Sequence, residues 1–111
     1  MGTKHSNLIS EILIALSQRT NVRAWRNETG VARAMRGSSV IRYGLTGSSD
    51  ILGIVGPYGK LLCIECKVGN DTQRDSQKNF ERMVRERGGI YIVARCVFDV
   101  SDVIDKLETC A

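Results

Sequence analysis

The chain has 111 residues, enough for one domain and not two, because domains commonly run to about 100–200 residues. Hydrophobic residues at 42% and charged residues at 25% sit near globular averages and argue against a disordered chain or a disulfide scaffold. The formal net charge is +4, and every apolar run falls short of the ~20 residues of a spanning helix, which excludes a membrane-embedded class.

Ser6 can cap a first helix whose apolar positions are Leu8, Ile9, Ile12, Leu13, Ala15 and Leu16, spaced for one buried stripe. Glu11 falls about 120° from the middle of that stripe, at its edge. An acid there is ordinarily solvated unless something nearby needs its charge. His5 precedes the cap and is expected in a frayed, inert terminus. The polar start also lacks the pattern of a secretory signal, so the expected setting is the cytoplasm.

Residues 22–27 alternate like a short strand, with Trp25 expected in the core rather than as a stacking platform. Residues 28–49 are the least regular part, punctuated by Gly30, Gly37, Gly44 and Gly47. Only residues 40–43 have strand composition there, so loops or short strands near a ligand are expected. Six arginines (Arg19, Arg23, Arg26, Arg33, Arg36, Arg42) stand in residues 19–42 against the single acid Glu28. The last thirteen residues hold four acids against Lys106. Arg accounts for eleven of the sixteen cations, and its planar fork suits phosphate oxygens. This is either a surface for a polyanion or an ordinary solvated basic face.

Beyond Asp50 the pattern sharpens. Residues 51–55 and 60–68 are β runs joined by the turn Gly56-Pro57-Tyr58-Gly59, which predicts a hairpin. A polar loop at 69–74 leads to a helix over 75–87, with Phe80, Met83 and Val84 inward and Gly88-Gly89 closing it. Residues 90–96 form a buried strand, and Ser101 caps a last helix running to about residue 108. The helical crossover makes the strands on either side of it parallel neighbours. The expected fold class is α/β, a small mixed β-sheet flanked by helices.

Of the four cysteines, Cys63 and Cys66 have C-x-x-C spacing, but no second pair or nearby His completes a zinc site. On a strand an odd offset sends the two sulfurs to opposite faces, so structural thiols in a reducing compartment are expected.

Glu65 and Lys67 share one face of the second hairpin strand, and Leu62, Ile64, Cys66 and Val68 share the other. In a hairpin turning at residues 56–59, positions summing to about 115 face each other, which sets Asp50 opposite Glu65. Two apposed carboxylates stay ionised only with a cation between them, and oxygen donors suit Mg²⁺ or Mn²⁺. Lys67 adds a charge that can stabilise a phosphate. Metal, water and cation are the parts needed for phosphodiester hydrolysis.

Asp50, fourteen intervening residues, then Glu65-Cys66-Lys67 resembles the D…E-x-K core of the PD-(D/E)xK nucleases. Trp25-Arg26-Asn27-Glu28-Thr29-Gly30, Tyr43-Gly44-Leu45-Thr46-Gly47-Ser48-Ser49-Asp50, Gln77-Lys78-Asn79-Phe80 and Gly88-Gly89 extend the resemblance to the virus-type replication-repair nuclease (VRR-NUC) domain, over residues 8–96. The resemblance implies a restriction-endonuclease-like fold over residues 1–111 and metal-dependent cleavage of DNA, in a prokaryotic or virus-infected cytoplasm. Asp50, Glu65 and the backbone carbonyl of Cys66 would hold Mg²⁺ or Mn²⁺, with Glu11 joining directly or through water. Lys67 would be the catalytic lysine and Gln77 its helical support. Arg26, Asn27, Arg33, Arg36, Arg42, Ser48, Ser49 and Lys78 would meet DNA. Many members carry proline where this chain has Ser49, which leaves the loop geometry open. Stand-alone members imply a homodimer that resolves four-way junctions, whose two-fold symmetry matches paired active sites. The alternatives are a restriction-like or nicking enzyme on duplex or flap DNA, and a non-catalytic DNA-binding module of the same fold.

Overall fold

The computed structural model describes residues 2–33, 37 and 39–109, with Arg33 described by its backbone alone. The described elements are α1 (Lys4–Ser17), β1 (Val22–Arg26), β2 (Gly30–Arg33), β3 (Val40–Tyr43), β4 (Ile51–Val55), β5 (Lys60–Cys66), α2 (Asp75–Glu86), β6 (Ile90–Ala94) and α3 (Val97–Thr109). Four strands form one mixed sheet in the order β1-β4-β5-β6, while β2 and β3 pair apart from it. The β4–β5 hairpin has the expected register, with Ile51 opposite Ile64 and Leu52 opposite Cys63. Across the α2 crossover, β5 and β6 run parallel.

Alternation along β5 divides the core in two. Leu62, Ile64 and Cys66 pack with Leu8, Ile9, Ile12 and Leu16 of α1 and with Val100 and Ile104 of α3. Cys63 faces the other way, onto Phe80 and Val84 of α2 and Tyr91 of β6. Helices thus cover both faces of the sheet. Ile12, Leu62, Ile64 and Ile104 are wholly buried, each contributing about 1.5–3 kcal/mol of transfer free energy.

Several local expectations need correcting. Thr3, not Ser6, caps α1: its hydroxyl accepts the Ser6 backbone N–H at 3.0 Å, and the helix therefore includes His5. The final helix starts at Val97, leaving Ser101 inside it. The residues leading into it are tied by Asp99, whose carboxylate accepts the Arg95 N–H at 2.8 Å, and an acid in the first turn suits the helix dipole. Trp25 is 50% exposed, because α2 covers the β5–β6 half of the sheet and leaves its β1 side open. The short strands expected within residues 28–49 are present, with residues 30–33 forming β2 paired to β3. No helix among the described residues is long and apolar enough to cross a membrane.

Candidate active site

Asp50 ends the loop before β4, Glu65 and Lys67 sit at the end of β5, and Gln77 lies in the first turn of α2. All four line one cavity of about 270 Å³, joined by His5 of α1 and by Asp71 and Arg74 of the loop before α2. A larger cavity of about 670 Å³, between the end of α1 and β1, has no acidic residue in its wall. The chemistry is concentrated in the smaller one.

Burial is the first fact about this cluster. Glu65 and Lys67 are each 3% exposed and Gln77 is 4% exposed, values ordinarily reached by apolar side chains. Their polar atoms are largely satisfied by one another. The Lys67 ammonium donates to Gln77 Oε1 at 2.9 Å, and Gln77 Nε2 donates to Glu65 Oε1 at 3.1 Å. Gln77 Oε1 also accepts the Arg74 backbone N–H at 2.9 Å, half of a capping box that locks the amide to the helix start. Lys67 lies 3.8 Å from Glu65 and 3.6 Å from Asp71.

One atom is left over. Glu65 Oε2 is buried with no hydrogen-bond partner. Burial, and next the charge of Asp50, push the Glu65 carboxyl up to about 8, against the pull of Lys67. An ionised Glu65 beside Asp50 therefore needs one more cation than the side chains supply. Asp50 Oδ2 accepts the Cys66 backbone N–H at 2.9 Å and lies 3.0 Å from His5 Nε2. Burial and the two carboxylates raise the Cys66 thiol to about 12, so that sulfur stays protonated while its backbone serves the site.

The approach to Asp50 is pinned by Asn27. Its amide donates to Ser48 Oγ at 2.8 Å and to the Ser49 carbonyl at 2.9 Å, and its backbone N–H donates to the Asp50 carbonyl at 2.8 Å. Ser49 is buried and donates its hydroxyl to the Ile51 carbonyl at 2.9 Å. These bonds supply the local stiffness that a proline at position 49 would have supplied. Gly47 has a φ of +83°, and a Cβ there would run into the Ser76 carbonyl. Only glycine permits the loop to lie this close to α2.

The expected site residues separate into three groups. Asp50, Glu65, Lys67 and Gln77 meet in one cavity, with Ser48 on its wall. Glu11 is exposed on α1 and outside that wall; six residues past His5 it is turned about 120° from it. Asn27 bonds its amide nitrogen to Ser48 and Ser49, and Ser49 its hydroxyl to the Ile51 carbonyl, so both hold the loop in shape. Arg26, Arg42 and Lys78 are exposed, and Arg26 reaches Ser6 and Ser10 of α1 at 3.5 Å. Arg36 and the Arg33 side chain lie outside the described residues. His5, expected to be inert, belongs to the site. Its signal was present in the stripe itself: His5 stands one turn before Leu8 and Ile9, so the buried face carries it over the end of the sheet.

Among the described residues, no three His, Cys, Asp or Glu side chains are already gathered into a metal cage. The cavity wall offers the carboxylates Asp50 and Glu65, which suit a hard divalent ion that keeps several waters. The orphaned Glu65 oxygen and the raised Glu65 carboxyl both fit such an ion. No family model and no curated protein matches the chain.

Proposed function

We propose that this chain is a metal-dependent endodeoxyribonuclease of the VRR-NUC type, with a restriction-endonuclease-like fold, acting on branched DNA as a homodimer. The observation that carries the reading is a buried carboxylate, Glu65, with one unpartnered oxygen beside Asp50 and Lys67. Burying such a group is costly, and a packing role gives no return on that cost. Asp50, Glu65 and the Cys66 carbonyl would hold Mg²⁺ or Mn²⁺, which when bound supplies Lewis acidity at the phosphate and lowers the pKa of its water.

The remaining work falls to the chain itself. Lys67 holds its ammonium at the cavity wall, where it can meet a phosphate oxygen and offset developing charge. Gln77 fixes that ammonium through one hydrogen bond and braces Glu65 through another, so neither group has to find its position on substrate binding. The Cys66 N–H orients the Asp50 carboxylate. Exposed Arg26, Arg42 and Lys78 provide sequence-independent attraction for a polyanion.

End-labelled four-way junction, flap and duplex DNA, each incubated with and without Mg²⁺ or Mn²⁺, test the reading. Symmetric metal-dependent cuts in the junction, absent in Glu65→Gln, are expected. Equal rates on duplex and junction favour the restriction-like alternative, and DNA binding without any turnover favours the non-catalytic module. Mass measurement in solution checks the dimer.

A further inference from the structure

We propose that His5 is itself a metal-ligating residue and that its nitrogen makes the site select Mn²⁺ over Mg²⁺. The inference rests on the nuclease reading above and deepens it, by giving α1 a donor and the ion an identity. His5 Nε2 lies 3.0 Å from Asp50 Oδ2, and both side chains line the cavity that holds Glu65 and Lys67. Two donors this far apart either share a proton or share a cation. Adjacent ligands of an octahedral ion with bonds of about 2.1 Å are separated by about 3.0 Å, so the observed spacing is already that of an octahedral edge.

The helix that presents His5 is held in place from below. Leu8, Ile9 and Ile12 are buried against the sheet, and Thr3 caps the first turn, so the imidazole stands on an anchored turn and not on a loose terminus. The His5 side chain is 39% exposed and that of Asp50 22% exposed, which leaves the pair open to an arriving ion. The Cys66 N–H donates to the same Asp50 oxygen and holds the carboxylate in orientation, the supporting contact that ligating groups usually have. Glu11, the other polar candidate on α1, is outside the cavity wall.

A nitrogen among oxygen donors changes which ion is preferred. Mg²⁺ favours oxygen donors alone and gives up water reluctantly, whereas an imidazole is accepted by first-row transition ions. The same cavity with an all-oxygen donor set would lose that discrimination.

The sequence contains a single histidine, so protein made without a histidine tag gives an unambiguous readout. Electron spin-echo spectra of bound Mn²⁺ should show imidazole nitrogen modulation, lost in His5→Ala and His5→Gln. Calorimetric titration should show Mn²⁺ affinity falling at least about tenfold in both variants, with Mg²⁺ affinity changing less, and His5→Asp narrowing the gap between the two ions. Circular dichroism of the variants confirms that α1 is intact, and His5→Gln keeps a polar side chain of similar reach. Mn²⁺ binding that Glu65→Gln abolishes but His5 variants leave unchanged, without nitrogen modulation, overturns the role of His5 and leaves the nuclease reading standing. Failure of the wild-type protein to bind Mn²⁺ or Mg²⁺ at millimolar concentration overturns both.

Discussion

The face that β5 turns towards α2 has two ends of opposite character. At one end Cys63 packs with Phe80, Val84 and Tyr91 in an ordinary apolar cluster. Two residues further along the same strand, Glu65 is equally buried but its partners are Lys67 and Gln77. Strand, covering helix and degree of burial are shared; the chemistry is reversed. Burial by itself therefore does not tell a stabilising contact from a functional one. What separates the two ends is whether the polar atoms close upon themselves, and at Glu65 Oε2 they do not.

Substitutions at the two ends should break this comparison in opposite ways. Replacing the buried pair together, Glu65→Leu with Lys67→Met, should lower junction cleavage by at least about 10²–10³-fold and leave the melting temperature level or higher, since replacing a buried ion pair with apolar groups of similar volume is often neutral or stabilising. Single-turnover rates and thermal melts measure the two quantities. Phe80→Ala should do the converse, costing about 3–5 kcal/mol in urea unfolding while the folded fraction keeps its turnover rate. A Glu65→Leu/Lys67→Met protein that cuts normally but melts early would reduce the polar end to a structural feature.

Gln77 has two duties at the polar end, because it ties the helix start and the site together. Gln77→Ala should reduce cleavage by about 10–100-fold, the scale seen for supporting contacts around metal ligands. It should also cost about 1–3 kcal/mol of stability by leaving buried partners unmet.

The last effect is a pH slope. The Glu65 carboxyl is raised from 4.5 to about 8 by burial and by Asp50, so the folded protein holds that proton more tightly than the unfolded chain does. Stability of the metal-free protein should therefore fall as pH rises from about 5 to about 8 and level off above that, by at most about 1.4 kcal/mol per pH unit. Glu65→Gln should flatten the profile in this window. The apolar end adds no such slope there, since Tyr91 titrates only at about 12. Urea titrations at several pH values in chelator check both statements.

Much of the fold was legible in the residues because local rules and packing agree. Leu62, Ile64 and Cys66 alternate with Cys63, Glu65 and Lys67, and the structure sends the two sets to opposite faces. The turn at residues 56–59 set the hairpin register correctly, because a short turn leaves little freedom to slip. Where the local signal was weak or shared, tertiary packing decided the outcome. Residues 30–33 are strand only because residues 40–43 lie beside them. Ser101 is a good cap by type, but α3 already begins at Val97 and places it inside the helix. Trp25 is apolar enough for a core that α2 does not extend far enough to provide.

The candidate site divides along the same line. Asp50, Glu65 and Lys67 come from one hairpin, so spacing and strand parity sufficed to bring them together on paper. His5 and Glu11 lie on a helix docked across a long separation in sequence. Both are polar residues flanking one apolar stripe, and periodicity alone does not say which end of that stripe overhangs the carboxylates. The sequence by itself determined which residues alternate along β5 and which acids face a lysine, because these depend on local backbone geometry and hydrophobic pattern. Only the tertiary structure decided that His5 meets Asp50 and that Glu11 does not line the cavity, because the docking of α1 depends on how Leu8, Ile9, Ile12 and Leu16 seat against strands far away in the chain.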